Sequence, residues 1–437
     1  MRVRALSALA LRWLWWIVAI VVVLYAIGRP VQLVWQSHYR GDREPWLQLI
    51  GPYSVQLHWQ SREPQQSVVR YGLASTPLQR QQREESAVTE HRLQLTCLEP
   101  ATRYDYQIDA GPRYSFTTAP LPTDRQPLRF WIQGDPGRYV AETAAVNRAA
   151  WHWMAQQPLP QRQSQSLFDL WFTTGDNAYP SGKQLDFQRH LFEPYTELLP
   201  TVGYWPTYGN HDARRFSFYR LFDFPDQAEL GGVPSASEHY YSFDYGMVHW
   251  VMLDSHSLLF SVTMGLQGWL DRDLAANRQR WTVVLFHHPP YTRGSHDSDS
   301  VTDSRGRMVR ARQQIVPILE RHGVDLVLSG HSHLYERSHL MAGHYGSSHT
   351  FEPATHWLDS RSPYVKAADQ RGSLYLVVGA SYDLANGPLD HPAMAVATRE
   401  RGSLVVDADY QQLTGHYIGI DGEVVDQFVL QKPLPSP

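Results

Sequence analysis

The pattern of hydrophobic and polar residues divides most of the chain into two regions of different texture. Between Pro45 and Pro120, short runs alternate apolar and polar residues and are separated by Gly, Pro and Ser. Such alternation predicts half-buried antiparallel strands, here those of a small β-sandwich. The runs are WLQLI, SVQLHWQS, SVVRYG, HRLQLTCL, TRYDYQI and RYSFTTA.

From Leu128 to about Leu430 the apolar runs are continuous, and helix-like stretches separate them, at 141–157 and 311–323 for example. Continuous apolar strands alternating with helices predict an α/β domain whose sheets are buried on both faces. The segment between the two regions, 119–127, contains three prolines and is typical of a linker.

The N-terminus carries an uncharged apolar run at residues 13–28, preceded by Arg2, Arg4 and Arg12. The run predicts a transmembrane anchor within residues 1–30, and the excess of arginine before it places the rest of the chain outside the cytoplasm. A polar linker, 31–44, would follow. The alternative is a cleaved signal peptide ending near Gly28, which gives a secreted protein. Either interpretation predicts export, to the periplasm or the cell exterior.

Composition excludes several classes of protein. The formal charge of the 437 residues is −4 and the isoelectric point about 6.6, so we expect no nucleic-acid binding. Cys97 is the single cysteine, which excludes intrachain disulfides and CxxC metal sites. The composition specifies no oligomeric state.

Candidate metal ligands recur in five motifs: GDPG, GDNAY, GNHD, FHHP and GHSH. Four of the motifs directly follow a clear apolar run, and in α/β folds ligands gather beyond the carboxyl ends of the strands. Alone, each motif would be an ordinary turn aspartate, helix cap or surface histidine. Together they supply enough oxygen and imidazole ligands for two metal ions. The candidate ligands are Asp135, Asp176, Tyr179, Asn210, His287, His331 and His333.

The ordered motifs GDxG, GDxxY, GNHD, a strand-terminal His-x-Pro and GHxHxYER resemble those of the purple acid phosphatases, which are calcineurin-like metallophosphoesterases. The resemblance begins near Pro45, because plant-type members carry a fibronectin type III-like domain before the catalytic one. Tyr104 and Tyr106 resemble the strand-F tyrosines of that domain. The resemblance thus implies a fibronectin III-like sandwich at 45–120 and a layered α/β/β/α catalytic domain at 128–430.

One pair of residues makes the resemblance more specific. Other metallophosphoesterases have Asp-x-His in the first motif, whereas Gly137 stands in the place of that histidine here. Tyr179 stands where a phenolate could replace the lost imidazole. Because a phenolate oxygen suits Fe(III) better than imidazole does, the exchange implies iron at that position.

The resemblance also implies a role for each residue. Asp135, Asp176, Tyr179 and His333 would bind Fe(III), and Asp176 would bridge to a divalent zinc, iron or manganese ion bound also by Asn210, His287 and His331. Metal-bound hydroxide would attack a phosphomonoester. His211 would bind phosphate or protonate the leaving group, His296 would contact the substrate, and Arg293 is a further candidate phosphate contact.

Other interpretations stay open at this point. The same centre could cleave phosphodiesters or nucleotides. The chain could instead be a surface binding protein with a degenerate catalytic domain, although none of the seven candidate ligands is missing. His288 occupies the x position of His-x-Pro and is not expected to be a ligand. The segment Met341–Trp357, with three histidines, is expected to be a loop near the site mouth.

Overall fold

The computed structural model describes residues 39–160, 162, 166–214, 216–257, 262–367 and 371–434, with the side chains of 262–264 left out. The predicted anchor at 1–30 and most of the predicted polar linker lie outside these residues. Within the described ranges, no helix is both long and apolar enough to cross a membrane.

Seven strands form the N-terminal region, and they lie in two antiparallel groups, β1-β2-β5 and β4-β3-β6-β7. All six alternating runs form strands, as predicted. The seventh, β4, has four exposed polar residues and therefore no alternation that would have predicted it. The bounds are β1 Arg43–Gln48, β2 Val55–Gln65, β3 Val68–Leu73, β4 Arg80–Arg83, β5 Val88–Leu95, β6 Arg103–Ile108 and β7 Arg113–Thr117.

Among the described residues after the linker, sixteen further strands are found. They are β8 Leu128–Gln133, β9 Leu170–Thr173, β10 Gly203–Pro206, β11 Tyr240–Tyr245, β12 Val248–Leu253, β13 Trp281–Leu285, β14 Leu326–Ser329, β15 Tyr335–Ser338, β16 Leu340–Met341, β17 Trp357–Asp359, β18 Tyr364–Val365, β19 Leu374–Val378, β20 Met394–Thr398, β21 Gly402–Ala408, β22 Gln412–Gly419 and β23 Val424–Gln431.

Helices connect these strands. The α-helices are α1 Ala141–Gln156, α2 Gln184–Phe187, α3 Phe218–Leu221, α4 Val262–Ala276, α5 Arg307–Arg310, α6 Val316–Arg321 and α7 Pro353–His356. Two π-helical turns, Gln188–Phe192 and Ala311–Ile315, and three 3-10 turns, Asp212–Arg214, Asp303–Gly306 and Ser348–Thr350, complete the set. Both stretches predicted to be helical are helical: α1 covers the first, and the Ala311–Ile315 turn with α6 covers the second.

Two mixed sheets form the body of the protein. One has the order β18-β23-β22-β21-β8-β9-β10-β1-β2-β5, and the other β11-β12-β13-β14-β19-β15-β20. The larger sheet includes strands of the N-terminal region, because β1 pairs in parallel with β10 at Leu47 and Gly203. The hydroxyl of Tyr106 also donates to the carbonyl of Pro200, 2.9 Å away. Three of the N-terminal strands, β1, β2 and β5, therefore extend the main sheet.

The two sheets pack face to face through aromatic side chains. Phe172 of β9 stacks on Trp250 of β12 with ring centroids 4.1 Å apart, and Trp205 of β10 stacks on Phe243 of β11 at 3.8 Å. Large buried rings contribute strongly to core stability, since each buries a large apolar area. These stacked aromatic pairs lie on β9 and β10, directly before the second and third motifs, and so fix the position of those strands.

Helices cover the outer faces. Trp153 of α1 contacts His416 of β22 at 4.7 Å between ring centroids. On the other side, Trp269 and Leu270 of α4 share a buried cluster with Val251 and Val284 of the smaller sheet. The order of layers is helix, sheet, sheet, helix, which confirms the mixed α/β fold expected after residue 128.

Candidate metal centre

The five motifs meet at the carboxyl ends of five strands. Within the larger sheet β8, β9 and β10 are parallel neighbours, and within the smaller sheet β13 and β14 are parallel neighbours. Each strand is followed within a few residues by a candidate ligand. Ligands commonly bind at this edge of α/β sheets. The ligands that follow, in strand order, are Asp135, then Asp176 and Tyr179, then Asn210, then His287, then His331 and His333.

Asp176 lies at the centre of the group. Its Oδ2 atom is 3.2 Å from the hydroxyl of Tyr179 and 3.6 Å from Nε2 of His287. Its Oδ1 atom accepts a 2.7 Å hydrogen bond from the backbone N–H of His211, which fixes the carboxylate orientation. One carboxylate oxygen therefore touches side chains from both sheets, the position that a bridging ligand requires.

On one side of Asp176 the remaining side chains form a connected set. The Tyr179 hydroxyl lies 3.1 Å from Nε2 of His333, and that nitrogen is 4.0 Å from Oδ1 of Asp135. Asp135 in turn accepts hydrogen bonds from the backbone N–H of His331 at 2.9 and 3.1 Å. Two carboxylates, a phenol and an imidazole thus converge here.

On the other side, two acceptor atoms face each other. The ring of His287 is fully buried, and burial lowers its pKa, which favours the neutral imidazole. Its Nδ1 atom lies 2.8 Å from the carbonyl oxygen of Thr174 and must donate to it. The lone pair is then on Nε2, which lies 3.0 Å from Oδ1 of Asn210. The lone pairs of His287 Nε2 and Asn210 Oδ1 are close enough together to bind one cation between them.

Burial and mutual repulsion also disfavour the charges of the acidic groups. Burial raises the pKa of Asp135 well above its usual range, and the neighbouring Asp176 raises it further. The same two causes raise the pKa of Tyr179 and bring that of Asp212 to about 8. Cations bound among these oxygens would reverse each effect. The donor set therefore fits two metal ions.

Two glycines explain how the ligands can approach so closely. Gly175, at φ +110°, precedes Asp176, and a Cβ atom there would lie 2.3 Å from Nδ1 of His287. At Gly137 a Cβ atom would lie 2.2 Å from the carbonyl oxygen of Asp176. No other residue fits either position without displacing the ligand-bearing loops. Gly137 is thus required by the path of the chain around Tyr179.

His331 and His288 complete the group on the side of the smaller sheet. The rings of His287 and His331 are 4.9 Å apart, and potential ligand atoms of these two residues and His288 lie within 4.8 Å of one another. His288 is buried, with Nδ1 2.8 Å from the Ser255 hydroxyl. The assignment of His287 as the ligand stays a prediction, and the lone pair that faces Asn210 supports it.

The three predicted substrate contacts have different environments. His211 is partly exposed, and its Nε2 atom lies 4.0 Å from Oδ2 of Asp176, which places it beside the ligand group. The His296 ring stacks on that of His331 at 3.8 Å. Arg293, in contrast, pairs with Asp390 at 3.2 Å. His211 and His296 are thus close to the candidate ligands, and Arg293 makes an ion pair with a residue of the loop between β19 and β20.

Several residues of the site were not expected from the sequence. Asp212, the last residue of GNHD, accepts hydrogen bonds from the backbone N–H groups of Asn177 and Gly209 and so ties two ligand loops together. The only sequence feature that could have identified Asp212 is its position in the GNHD motif. Arg214 donates to Nε2 of His211 at 3.3 Å, and Ser304 contacts His331 at 2.6 Å. No local pattern marks these two residues.

The histidine-rich segment Met341–Trp357 contains more structure than the predicted loop. It includes a 3-10 turn and α7. Its Ser348 N–H donates to Asp299, 2.8 Å away, and the carboxylate of Glu320 accepts from Gly343 and Tyr345. The segment thus contacts the loop that follows His296, and no contact with a candidate metal ligand is found among its described residues.

Comparisons with known proteins agree with this geometry. Residues 128–335 match the family model of the calcineurin-like phosphoesterases. Purple acid phosphatase 22 of Arabidopsis thaliana is 31% identical over 259 residues, 56% of this chain and 53% of that protein. Purple acid phosphatase 21 of the same plant is 28% identical over 303 residues, 66% of this chain and 57% of that protein.

The chain therefore matches little more than half the length of these curated relatives. A purple acid phosphatase from yellow lupin (Lupinus luteus) seeds has a similar solved structure, with a TM-score of 0.69 at 16% identity over 90% of this chain and 75% of that one. This similarity shows a shared fold. The match to the calcineurin-like phosphoesterase model covers residues 128–335, a little under half of the chain, and supports a hydrolase.

Proposed function

We propose that the protein is a phosphatase of the purple acid phosphatase type, which hydrolyses phosphomonoesters with two metal ions. The observation that carries the proposal is the position of Asp176, whose Oδ2 atom contacts Tyr179 on one side and His287 on the other. A carboxylate between two ligand sets is what a binuclear hydrolase requires. The similarity to Arabidopsis purple acid phosphatases supports the choice of substrate class.

The ligand set near Tyr179 would hold Fe(III), together with Asp135, Asp176 and His333. A phenolate is a hard anionic ligand, and a trivalent cation favours it strongly enough to ionise a buried tyrosine. The second set, Asp176 with Asn210, His287 and His331, would hold a divalent zinc, iron or manganese ion, because imidazole and amide ligands suit such ions.

When bound, the two ions supply positive charge for the phosphate and an acidified water molecule as nucleophile. The residues of the chain orient the reactants. His211 lies at the edge of the ligand group and is partly exposed, and its Nε2 atom would exchange its contact with Arg214 for a phosphate or leaving-group oxygen. His296 is also partly exposed, and its ring stacks on that of His331. Each of the two histidines thus lies beside a candidate ligand, where it would meet a bound ester.

Turnover of a substrate panel tests the proposal. Full-length protein, purified in detergent and loaded with metal, should hydrolyse an aryl phosphate. Replacement Asp176→Ala or His331→Ala should lower the rate more than about 100-fold, comparable to the loss of a key electrostatic contact. The matched control is Asp271→Ala, an aspartate on α4 paired with His322. Faster turnover of diesters or nucleotides than of monoesters would replace the proposed substrate class with one of those.

The protein would act outside the cytoplasm. The apolar run at residues 13–28 and the arginines before it support a membrane anchor. Full-length protein should stay in the membrane fraction after an alkaline wash, and protein without residues 1–30 should not. A mature chain that begins near residue 29 would instead establish a cleaved signal.

For the N-terminal sandwich, the strand groups β1-β2-β5 and β4-β3-β6-β7 support a fibronectin III-like classification.

A further inference from the structure

The loop between His296 and α5 contains an unusual backbone turn. Ser304, Arg305 and Gly306 are consecutive left-handed residues, with φ of 49°, 57° and 70°. Two adjacent non-glycine residues in this region are rare, because each places its Cβ atom close to the backbone. Such conformations persist where the surrounding structure enforces them, and they are frequent at functional sites.

The turn brings a serine hydroxyl to a candidate metal ligand. Oγ of Ser304 lies 2.6 Å from Nε2 of His331 and 2.8 Å from Oδ1 of Asp303. The same Oδ1 atom is 2.9 Å from Nδ1 of His296. A single carboxylate therefore reaches His296 directly and His331 through one hydroxyl.

The direction of these hydrogen bonds follows from the donors available. Oδ2 of Asp303 accepts from the backbone N–H of Asp297. Although burial opposes ionisation, the hydrogen bonds from Asp297 and His296 lower the pKa of Asp303. Because an ionised carboxylate only accepts, the Ser304 hydroxyl donates its hydrogen to Asp303. Its oxygen must then accept from Nε2–H of His331.

This arrangement selects the ring nitrogen of His331 that can bind a cation. With hydrogen on Nε2, the lone pair of the neutral ring is on Nδ1. His287 has the opposite tautomer, since its Nδ1 donates to the Thr174 carbonyl and its lone pair is on Nε2. In metal sites, the hydrogen bond made by the second nitrogen commonly fixes both the tautomer and the ring orientation of a histidine ligand.

The same carboxylate orients His296. Nδ1 of His296 must donate to Asp303, which directs Nε2 away from it. The ring is parallel to that of His331, with an interplanar angle of 15° and a centroid distance of 3.8 Å. The orientation of the proposed substrate contact and that of the ligand therefore depend on one another.

We infer that Ser304 and Asp303 are positioning residues, which together hold His331 in the tautomer that presents Nδ1 to the metal and orient His296 toward the substrate. This inference rests on the proposed function. The left-handed turn places the Ser304 hydroxyl between the Asp303 carboxylate and the His331 imidazole. A larger side chain at position 304 would not preserve these distances.

Zn²⁺ affinity tests the inference without relying on turnover. Protein freed of metal with a chelator is titrated with Zn²⁺ against a chromophoric competitor. Replacement Ser304→Ala should weaken the binding of one of two ions about 10- to 100-fold, the usual effect of removing the partner of a ligand. Ser304→Gly should weaken it equally, although glycine suits the left-handed backbone better. This second variant separates loss of the hydroxyl from misfolding, which thermal unfolding also monitors.

The matched control is Arg305→Gly, which changes the next left-handed residue and leaves the hydroxyl in place. It should keep both Zn²⁺ affinities. Asp303→Ala should in addition raise KM for an aryl phosphate more than it lowers kcat, because it removes the acceptor that orients His296. Unchanged Zn²⁺ affinity in both Ser304 variants, with two ions bound by the wild-type chain, would overturn this inference alone. A wild-type chain that binds no Zn²⁺ would overturn the proposed function and this inference with it.

Discussion

Nε2 of His287 lies 3.0 Å from Oδ1 of Asn210, and neither atom carries a hydrogen to share, since Nδ1 of the neutral His287 ring donates to Thr174. A cation between the two would convert this unfavourable contact into coordination. The contact joins the segment after β13 of one sheet to the loop after β10 of the other. The candidate metal centre therefore also connects the two sheets.

Removal of the Asn210 amide should accordingly weaken one metal site. Asn210→Ala should lower the affinity for the divalent ion about 100-fold or more, because even outer partners of ligands contribute 10- to 100-fold. Metal content after dialysis should fall from two ions per chain to one. Asn277→Ala removes an asparagine that bonds Thr282, near the start of β13, and should retain two. Two ions retained by Asn210→Ala would contradict the assignment.

Tyr179 should colour the iron-loaded protein. A phenolate bound to Fe(III) absorbs visible light through charge transfer, so Tyr179→Phe should abolish the band. The control is Tyr382→Phe, whose ring lies 5.7 Å from that of Tyr179 and belongs to the loop after β19. Visible absorption spectra of both variants provide the measurement. A band that survives Tyr179→Phe, or a colourless iron-loaded wild type, would refute the phenolate ligand.

Gly137→Ala should damage the centre although it adds a single methyl group. The new Cβ atom would meet the Asp176 carbonyl oxygen at 2.2 Å and displace the loop that carries Asp176 and Tyr179. A shift of about 1 Å in a reacting group can lower a rate about 100-fold. Gly268→Ala in α4, where the nearest atom is 3.5 Å away on a flexible arginine, should keep full activity. Equal rates for the two variants would show that the close approach is unimportant.

His249 should make stability depend on pH at a distance from the metal centre. Its ring is buried, which opposes protonation, but hydrogen bonds to Asp244 and Asp273 outweigh burial and raise its pKa to about 9. Because the folded pKa exceeds the unfolded value of 6.5, the stabilisation is fully present below pH 6.5 and is lost as the pH rises through 9.

Comparison with His249→Gln isolates this contribution. At each pH, the free energy of unfolding of the variant is subtracted from that of the wild type. This difference should be larger at pH 6 than at pH 10 by on the order of 3 kcal/mol, since each pKa unit corresponds to about 1.36 kcal/mol. Urea unfolding at the two pH values measures it. A difference between wild type and variant that stays constant with pH would show that His249 is not charged in the folded protein.

The side chains that meet in the candidate metal centre could be identified from the sequence because each motif is local. The strand ahead of Asn210 could not be, since β10 is four residues long and ends in Pro206. Its place in the sheet comes from pairing with β9 and with β1, and the contact between Leu47 and Gly203 joins segments far apart in the sequence. Local alternation cannot encode such a pairing.

The same limit applies to the residues around the ligands. Ser304 and His331 are 27 positions apart, and their contact depends on a left-handed turn that no composition signal marks. Arg293 stays a predicted phosphate contact, and its ion pair with Asp390 of a later loop is a further contact that no local pattern marks. Long-range partners decide what such side chains bind.

Two metal ions bound by these side chains should make the protein a phosphomonoesterase. The most direct measurement is the rate of aryl phosphate hydrolysis as the chelator-treated full-length chain is titrated with metal. We expect no activity without metal and a rate that reaches its maximum at two ions per chain. Full activity in the metal-free protein would contradict it.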